Sequence, residues 1–324
     1  MSDRPPINAY PSEPQRSVSL PRALSISVIV PHLNQPRALA QCLAALAGQT
    51  GAFELAEVIV VDNGSKLLPQ RLCDGFPKTR LLTEPTPGPG PARNTGAAAA
   101  GGAILAFVDA DCIAGADWLD TITRTLAANP GVGILGGAVK VPHIEGQPAT
   151  ALEAYERIYA YRIDEYISRH GFAGTGNLAV RREVFAAVGP FGGITISEDR
   201  DWGLRAKALG HVIRYAPDMV VDHPARTSFE ELRRKWDRHI AHEYAELRNQ
   251  PFWRLRTLGR AVAVAVSPLA EIPKLALTAR LKGLRERGLA FVCLLRIRLH
   301  RARRMLGLIA YRSEAELLSR WNRH

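Results

Sequence analysis

Asp109 and Asp111, separated by one small residue, close the apolar run Ile104–Val108. An uninterrupted apolar stretch this short reads as a parallel strand buried on both faces. In open α/β sheets, ligands sit beyond the carboxyl ends of such strands. Alternation along an extended chain sends the two carboxylates to the same side. Two hard oxygen donors there suit Mg²⁺ or Mn²⁺, ions held by one or two carboxylates together with substrate phosphates. A solvated loop carrying two acids would look the same, so the pair needs company.

Other residues share this placement. Asp62 ends the apolar run 58–61 and opens Asp62-Asn63-Gly64-Ser65, which is also good turn chemistry in any protein. Glu198 and Asp199, with Asp201, cluster at a helix start, where the helix dipole favours acids anyway. His223 follows the apolar run 219–221, and its plain reading is a strand-end histidine making ordinary hydrogen bonds. A loop dense in proline and glycine, residues 85–91, feeds a helix that begins Ala92-Arg93-Asn94. Backbone N–H groups at such a junction can hold phosphate, and Arg93 can pair with one or stay solvated. Neither a P-loop nor a dinucleotide fingerprint is present.

The elements that must position these residues follow from periodicity. Strands are expected at 25–31, 57–62, 80–82, 104–108, 131–139 and 177–180, with two last ones at 212–215 and 219–223. Leu39, Cys42, Leu43 and Leu46 mark a first helix behind Pro36, so the chain opens with a right-handed βαβ unit. Further helices are expected at 92–101, from Trp118, over 149–169, over 181–188 and up to Leu209. Tyrosines 155 and 159 of the 149–169 helix stand at i, i+4, which favours packing over sugar stacking. The class is therefore α/β, a mostly parallel, Rossmann-like central sheet flanked by helices.

Charge divides the chain. Residues 251–324 hold 16 Lys and Arg against 4 Asp and Glu, whereas the first 250 residues hold 26 against 27. A near-neutral body argues against a nucleic-acid partner, and the basic tail asks for an anionic partner of its own. The four cysteines are scattered, implying neither a disulfide framework nor a zinc site. Five prolines and no apolar core in residues 1–24 predict a flexible arm without a secretory signal.

Taken in order, Pro31 and Asn34, Gln49, Asp62-Asn63-Gly64-Ser65, Pro91 to Gly96, Asp109-Ala110-Asp111, Gly174 to Asn177, Glu198-Asp199 and His223 form one pattern. It resembles the family 2 glycosyltransferases, inverting enzymes of the GT-A fold, over residues 25–240. The resemblance implies Pro31 and Asn34 in a nucleotide pocket, Asp62 facing the base and Arg93 on the pyrophosphate side. It implies Asp109 and Asp111 as the metal motif, with Asp111 the more direct ligand. Asp199 becomes the catalytic base, with Glu198 beside it, and His223 a further metal or diphosphate contact. Two departures stand out: His32-Leu33 replaces the usual small-aromatic pair, and Asn63 replaces a common second aspartate.

The implied activity is transfer of a sugar from a nucleotide-diphosphate sugar, UDP-linked by expectation, to an acceptor hydroxyl with Mn²⁺ or Mg²⁺ as cofactor. Cell-surface polysaccharide or glycolipid synthesis is the expected setting, and the acceptor a sugar or a lipid-linked one. The alternatives are a nucleotidyltransferase of similar sheet, disfavoured by Pro31-His32-Leu33-Asn34 where a glycine-rich motif belongs, and a non-catalytic scaffold. Residues 241–324 are expected to form a basic amphipathic helical tail with apolar blocks at 258–269 and 289–299. Both blocks are too short and too charged to span a bilayer, but suit the interface of an anionic membrane. A cytoplasmic chain, peripheral on the membrane, is expected. Helices packed on the body, or a dimer contact, remain open for the same segment.

Overall fold

The computed structural model describes residues 24–143, 146–194 and 196–311. The proline-rich arm expected over 1–24 therefore lies, Leu24 apart, outside the described residues, as does the end of the tail from residue 312. The described strands are β1 (Ser25–His32), β2 (Glu54–Asp62), β3 (Thr79–Thr83), β4 (Ile104–Val108), β5 (Ile113–Ala114), β6 (Ile134–Lys140), β7 (Asn177–Arg181) and β8 (Ile213–Asp222). They form one sheet in the order β3-β2-β1-β4-β7-β6-β8-β5. Pairings β1–β2, β1–β4, β2–β3 and β6–β8 are parallel, while β7 runs against both neighbours and β5 against β8.

The helices are α1 (Pro36–Ala47), α2 (Gln70–Asp74), α3 (Pro89–Ala99), α4 (Trp118–Ala128), α5 (Ala151–Tyr159), α6 (Ile163–Glu165), α7 (Arg182–Val188) and α8 (Glu198–Ala208). They continue with α9 (Phe229–Leu247), α10 (Trp253–Ala270), α11 (Ile272–Leu277) and α12 (Gly283–Tyr311). β4 shows why its sequence is apolar throughout. Ile104, Ala106 and Val108 pack with Leu43 of α1 and Trp118 of α4, whereas Leu105 and Phe107 pack with Ala97 of α3 and Trp202 of α8. Covered on both faces, the strand has no solvent side to make polar.

Register brings the chemistry to one edge. His32 faces Asp62, and Ile29 faces Phe107, so the ends of β1, β2 and β4 lie together. Because β7 is antiparallel, its first residue, Asn177, faces Val108 at that same edge. β5 carries Ile113 opposite Asp222, which sets the end of β8 beside Asp111 and Cys112.

Three expectations need correction. The two last strands are one: β8 is continuous, with a register shift where Gly137 faces Ala216 but Ala138 faces Val220. Pro217, which has no N–H to give, falls in that bulge. Asn177 secures it, donating Nδ2 to the carbonyls of Ala138 (2.9 Å) and Met219 (2.8 Å) while its Oδ1 accepts from Trp118 Nε1 (2.9 Å). The helix expected over 149–169 breaks after Tyr159. Tyr161 has left-handed backbone (φ 52°), and α6 then runs into a π-helical turn, Tyr166–His170.

The third correction concerns the tail. Its second apolar block is no interfacial surface, because Ala290, Cys293, Leu294 and Ile297 of α12 are buried against α5 and α9. Arg157 and Glu286, both buried, pair at 3.6 Å between α5 and α12, and Asp237 of α9 accepts from His300 Nε2 at 2.8 Å. The expected boundary at residues 240 and 241 falls inside α9. Among the described residues no helix is long and apolar enough to cross a membrane.

Candidate active site

Arg93 is the joint of the site. It stands on α3, is 3% exposed, and donates Nη2 to Asp109 Oδ1 at 2.6 Å and Nη1 to Glu198 Oε1 at 3.1 Å. Burial works against its charge, but Asp109 and then Glu198 more than offset this and raise its pKa. Gly176 borders Asp109 so closely that a Cβ there would stand 2.6 Å from Asp109 Oδ2. Gly176 is therefore a matter of clearance for the carboxylate.

Asp111 does not share Arg93. It faces His223, whose Nε2 is 3.5 Å from Asp111 Oδ1. Ligand atoms of Asp111, Cys112 and His223 all lie within 4.8 Å of one another. Burial first, and then the like charge of Asp109, pushes the Asp111 carboxyl up, with His223 opposing. The Cys112 thiol is pushed up as well, by burial and by Asp109 and Asp111. His223 Nδ1 lies 2.7 Å from the Pro224 carbonyl and so carries the proton it donates.

Tyr161 holds His223 from the other side. Its hydroxyl lies 3.1 Å from Nδ1 and 3.0 Å from Nε2, and the two rings meet at 4.6 Å. Arg226 bonds the buried Glu156 of α5 through its guanidinium and, at 3.0 Å, its backbone N–H, fixing the loop after β8. Lys235 of α9 lies over the Tyr161 ring at 5.5 Å. Burial, with Arg226 and Arg238 nearby, pushes its ammonium down to about 8.

Asp199 begins α8 beside Glu198. Burial, reinforced by the charge of Glu198, pushes its carboxyl up to about 6. The Arg200 N–H donates to its Oδ1 at 2.7 Å.

At the other wall, Asp62 is 1% exposed and accepts from the N–H groups of Gly64 (3.1 Å) and Ser65 (2.9 Å) on one oxygen. Its other oxygen takes His32 Nδ1 at 2.9 Å. Gln35 N–H donates to His32 Nε2 at 3.2 Å, so the proton of the imidazole is on Nδ1. Burial would raise the Asp62 carboxyl, but the bonds from Ser65, His32 and Gly64 hold it below the ordinary range. Asn34, at φ 53°, donates its N–H to Ser65 Oγ (2.7 Å) and accepts from Lys66 N–H (2.9 Å), tying the loops after β1 and β2. Pro31, one residue short of the end of β1, is half-buried beside them.

Asn63 gives the second departure a physical meaning. Its Nδ2 donates to the carbonyls of Glu84 and Thr86, both at 2.8 Å, and its Oδ1 accepts from Gly88 N–H at 2.7 Å. An aspartate could not donate. Asn63→Asp should cost about 1–2 kcal/mol, measured by urea denaturation, by setting a carboxylate against two carbonyls.

The site residues of the sequence reading thus fall into two groups at one sheet edge: Pro31, Asn34 and Asp62 around the first two loops, and Arg93, Asp109, Asp111, Glu198, Asp199 and His223 in the acidic centre. Sequence reading missed His32, Tyr161 and Lys235. Only His32 left a signal, a histidine at a strand end level with an aspartate at the next.

Glycosyl transferase family 2 describes the family model that matches residues 27–189. Glycosyltransferase AglE of Haloferax volcanii is 36% identical over 217 residues, 65% of this chain and 70% of that protein. Among solved structures, the mannosyltransferase PcManGT of Pyrobaculum calidifontis, in complex with GDP-Man and Mn²⁺, superposes with a TM-score of 0.58 at 19% identity, over 89% of this chain and 87% of that one. GalNAc-T7 with UDP, GalNAc and Mn²⁺ gives 0.51 at 17% identity, over 64% of this chain and 44% of that one. At such identities the likeness is one of fold, the GT-A type of mixed α/β sheet. Family model, relative and fold agree: the chain is a glycosyltransferase and belongs to glycosyl transferase family 2.

Proposed function

We propose that this chain transfers a sugar from a nucleotide-diphosphate sugar, UDP-linked in the first instance, to an acceptor hydroxyl with inversion. The observation that carries this is the double grip of Arg93. One guanidinium joins Asp109, 16 residues away, to Glu198, 105 residues away, so the strand-end acids and the Glu198–Asp199 pair line a single site.

Asp111 and His223 would hold the divalent cation, Mn²⁺ or Mg²⁺. With Nδ1 donating to Pro224, His223 keeps Nε2, 3.0 Å from the Tyr161 hydroxyl and 3.5 Å from Asp111 Oδ1, as the nitrogen with a lone pair to offer a cation beside that carboxylate. Carboxylate and imidazole, completed by phosphate oxygens, fit either ion. When bound, such an ion supplies positive charge for the departing diphosphate. Arg93 Nε is buried and without a hydrogen-bond partner among the described residues.

Displacement in one step needs a base across from the leaving group, to take the acceptor proton as its oxygen attacks. Asp199 serves: raised to about 6, it is ionised at neutral pH and a better base than an ordinary carboxylate. Asp62, His32 and Asn34 shape the nucleoside end by fixing the loops after β1 and β2. The acceptor is a sugar or lipid-linked one for cell-surface polysaccharide or glycolipid, met on the cytoplasmic face of an anionic membrane that the part of the basic tail left exposed engages.

Calorimetry with UDP and Mn²⁺ tests the donor half. Wild type should bind UDP only with the ion, and Asp111→Asn should weaken this by about tenfold or more. If neither UDP nor GDP bound with any divalent ion, the reading would fail.

A further inference from the structure

Helix α10 is apolar on two sides. Thr257, Ala261, Val264 and Pro268 are buried, on the side that packs against α12. On the other side Leu255, Leu258, Val262, Val266 and Leu269 recur at spacings of three and four and remain 44–67% exposed. The ridge continues through Ile272 and Leu277 of α11, the latter 84% exposed. No charged residue stands between Arg260 and Glu271. Single exposed apolar side chains are ordinary, but a continuous ridge of this length marks a contact surface.

Charge identifies its occupant. Arg254 and Arg256 stand exposed at one end of the ridge and Lys274 at the other, and exposed Arg280, Lys282 and Arg285 follow it in the chain, where Arg280 and Arg285 also bond the carbonyls of Arg157 and Ala149. Residues 251–287 carry eight basic side chains against two acidic ones. A second copy of this face would bring those like charges together in either orientation. An apolar stripe rimmed by cations is the pattern of a helix lying in the plane of an anionic membrane. A spanning role is closed to it, since no described helix is long and apolar enough to cross.

We propose that the α10–α11 ridge is the membrane-docking face of this chain, its apolar side chains entering an anionic phospholipid bilayer while the flanking arginines and lysines meet the headgroups. This deepens the membrane part of the proposed function and is independent of the donor chemistry. It also replaces the basic tail as a whole with one face, because α12 is committed to the body.

Truncation after residue 250 is no test, since it would strip α12 from α5 and α9 and lay their core bare. The full chain is instead co-sedimented with vesicles of phosphatidylcholine plus phosphatidylglycerol, and with phosphatidylcholine alone. Wild type should bind the anionic vesicles, less so at raised salt. V262E/V266E, at exposed positions, should bind them about tenfold more weakly or worse. Circular dichroism reports that the variant is folded, and nucleotide binding is followed separately, so failure of the donor reading cannot be mistaken for failure of docking. Should V262E/V266E not fold, L255S/L269S takes its place. The proposal is overturned if wild type ignores anionic vesicles or if a folded variant binds as wild type does. A dimer that V262E/V266E disrupts, without vesicle binding, would assign the ridge to a second copy and overturn it equally.

Discussion

Asp199→Asn should lower kcat by about 10²–10⁴-fold, the range a positioned general base contributes, and make the protein more stable. Asn keeps an oxygen for the Arg200 N–H but cannot take a proton from the acceptor. The stability gain comes from burial. In the fold the carboxyl titrates at about 6 rather than 3.8, so burial and Glu198 penalise its charged form. A raised folded-state value means that stability is lost as pH rises from about 4 to about 6, the unfolded chain giving up its proton first. Above that window the cost is constant, on the order of a few kcal/mol, and Asn removes it. Thermal melts at pH 7 and kcat measured on the same preparations check both halves. Wild-type kcat/KM should fall about tenfold per pH unit below about 6, the direction expected of a base that must be ionised.

Arg93→Met carries the second large effect, with the opposite sign for stability. The substitution matches the guanidinium stem in volume and removes the charge that serves Asp109 and Glu198 together. Removing one partner of a buried ionic group typically costs 3–5 kcal/mol, and the 35% exposure of the Asp109 side chain puts the expectation at the low end, about 3 kcal/mol. Urea denaturation measures it. Activity should also be lost, because the tie between the strand-end acids and the Glu198–Asp199 pair goes with it. Arg93→Lys keeps the charge but loses the planar fork that reaches both carboxylates at once, and should recover part of the stability.

The strand ending at Asp109 is readable in sequence because being covered on both faces leaves no alternative to a continuous apolar run. The same holds for β1 and β2, and for α1 with its leucines at helical spacing. Placing Asp62, Asp109 and His223 at one edge follows from strand ends and parallel pairing. Pairings set by distant partners are not readable. Nothing local says that Arg93 takes Asp109 away from Asp111, or that Tyr161 turns left-handed to meet His223. Pro217 suggests a break between two strands, yet a bulge pinned by Asn177 absorbs it. The two apolar blocks of the tail look alike in one dimension. Only the packing of α12 on α5 and α9 distinguishes the buried one from the exposed ridge of α10.

Asn63 and His32 show how a departure from a family pattern is absorbed. Asn63 donates to Glu84 and Thr86 where an aspartate could not, and His32 bridges Asp62 and the Gln35 N–H. Both fix the loops after β1 and β2, so the departures hold those loops in place by other bonds.

The proposed transfer is a cation-dependent single displacement at one site built around Arg93. The most direct measurement is nuclear magnetic resonance of the sugar anomeric centre during turnover of the preferred nucleotide sugar, with and without Mn²⁺. One product is expected, of anomeric configuration opposite to the donor, formed only with the ion and lost in Asp199→Asn. A product of retained configuration, or full turnover with all divalent ions chelated, would contradict it.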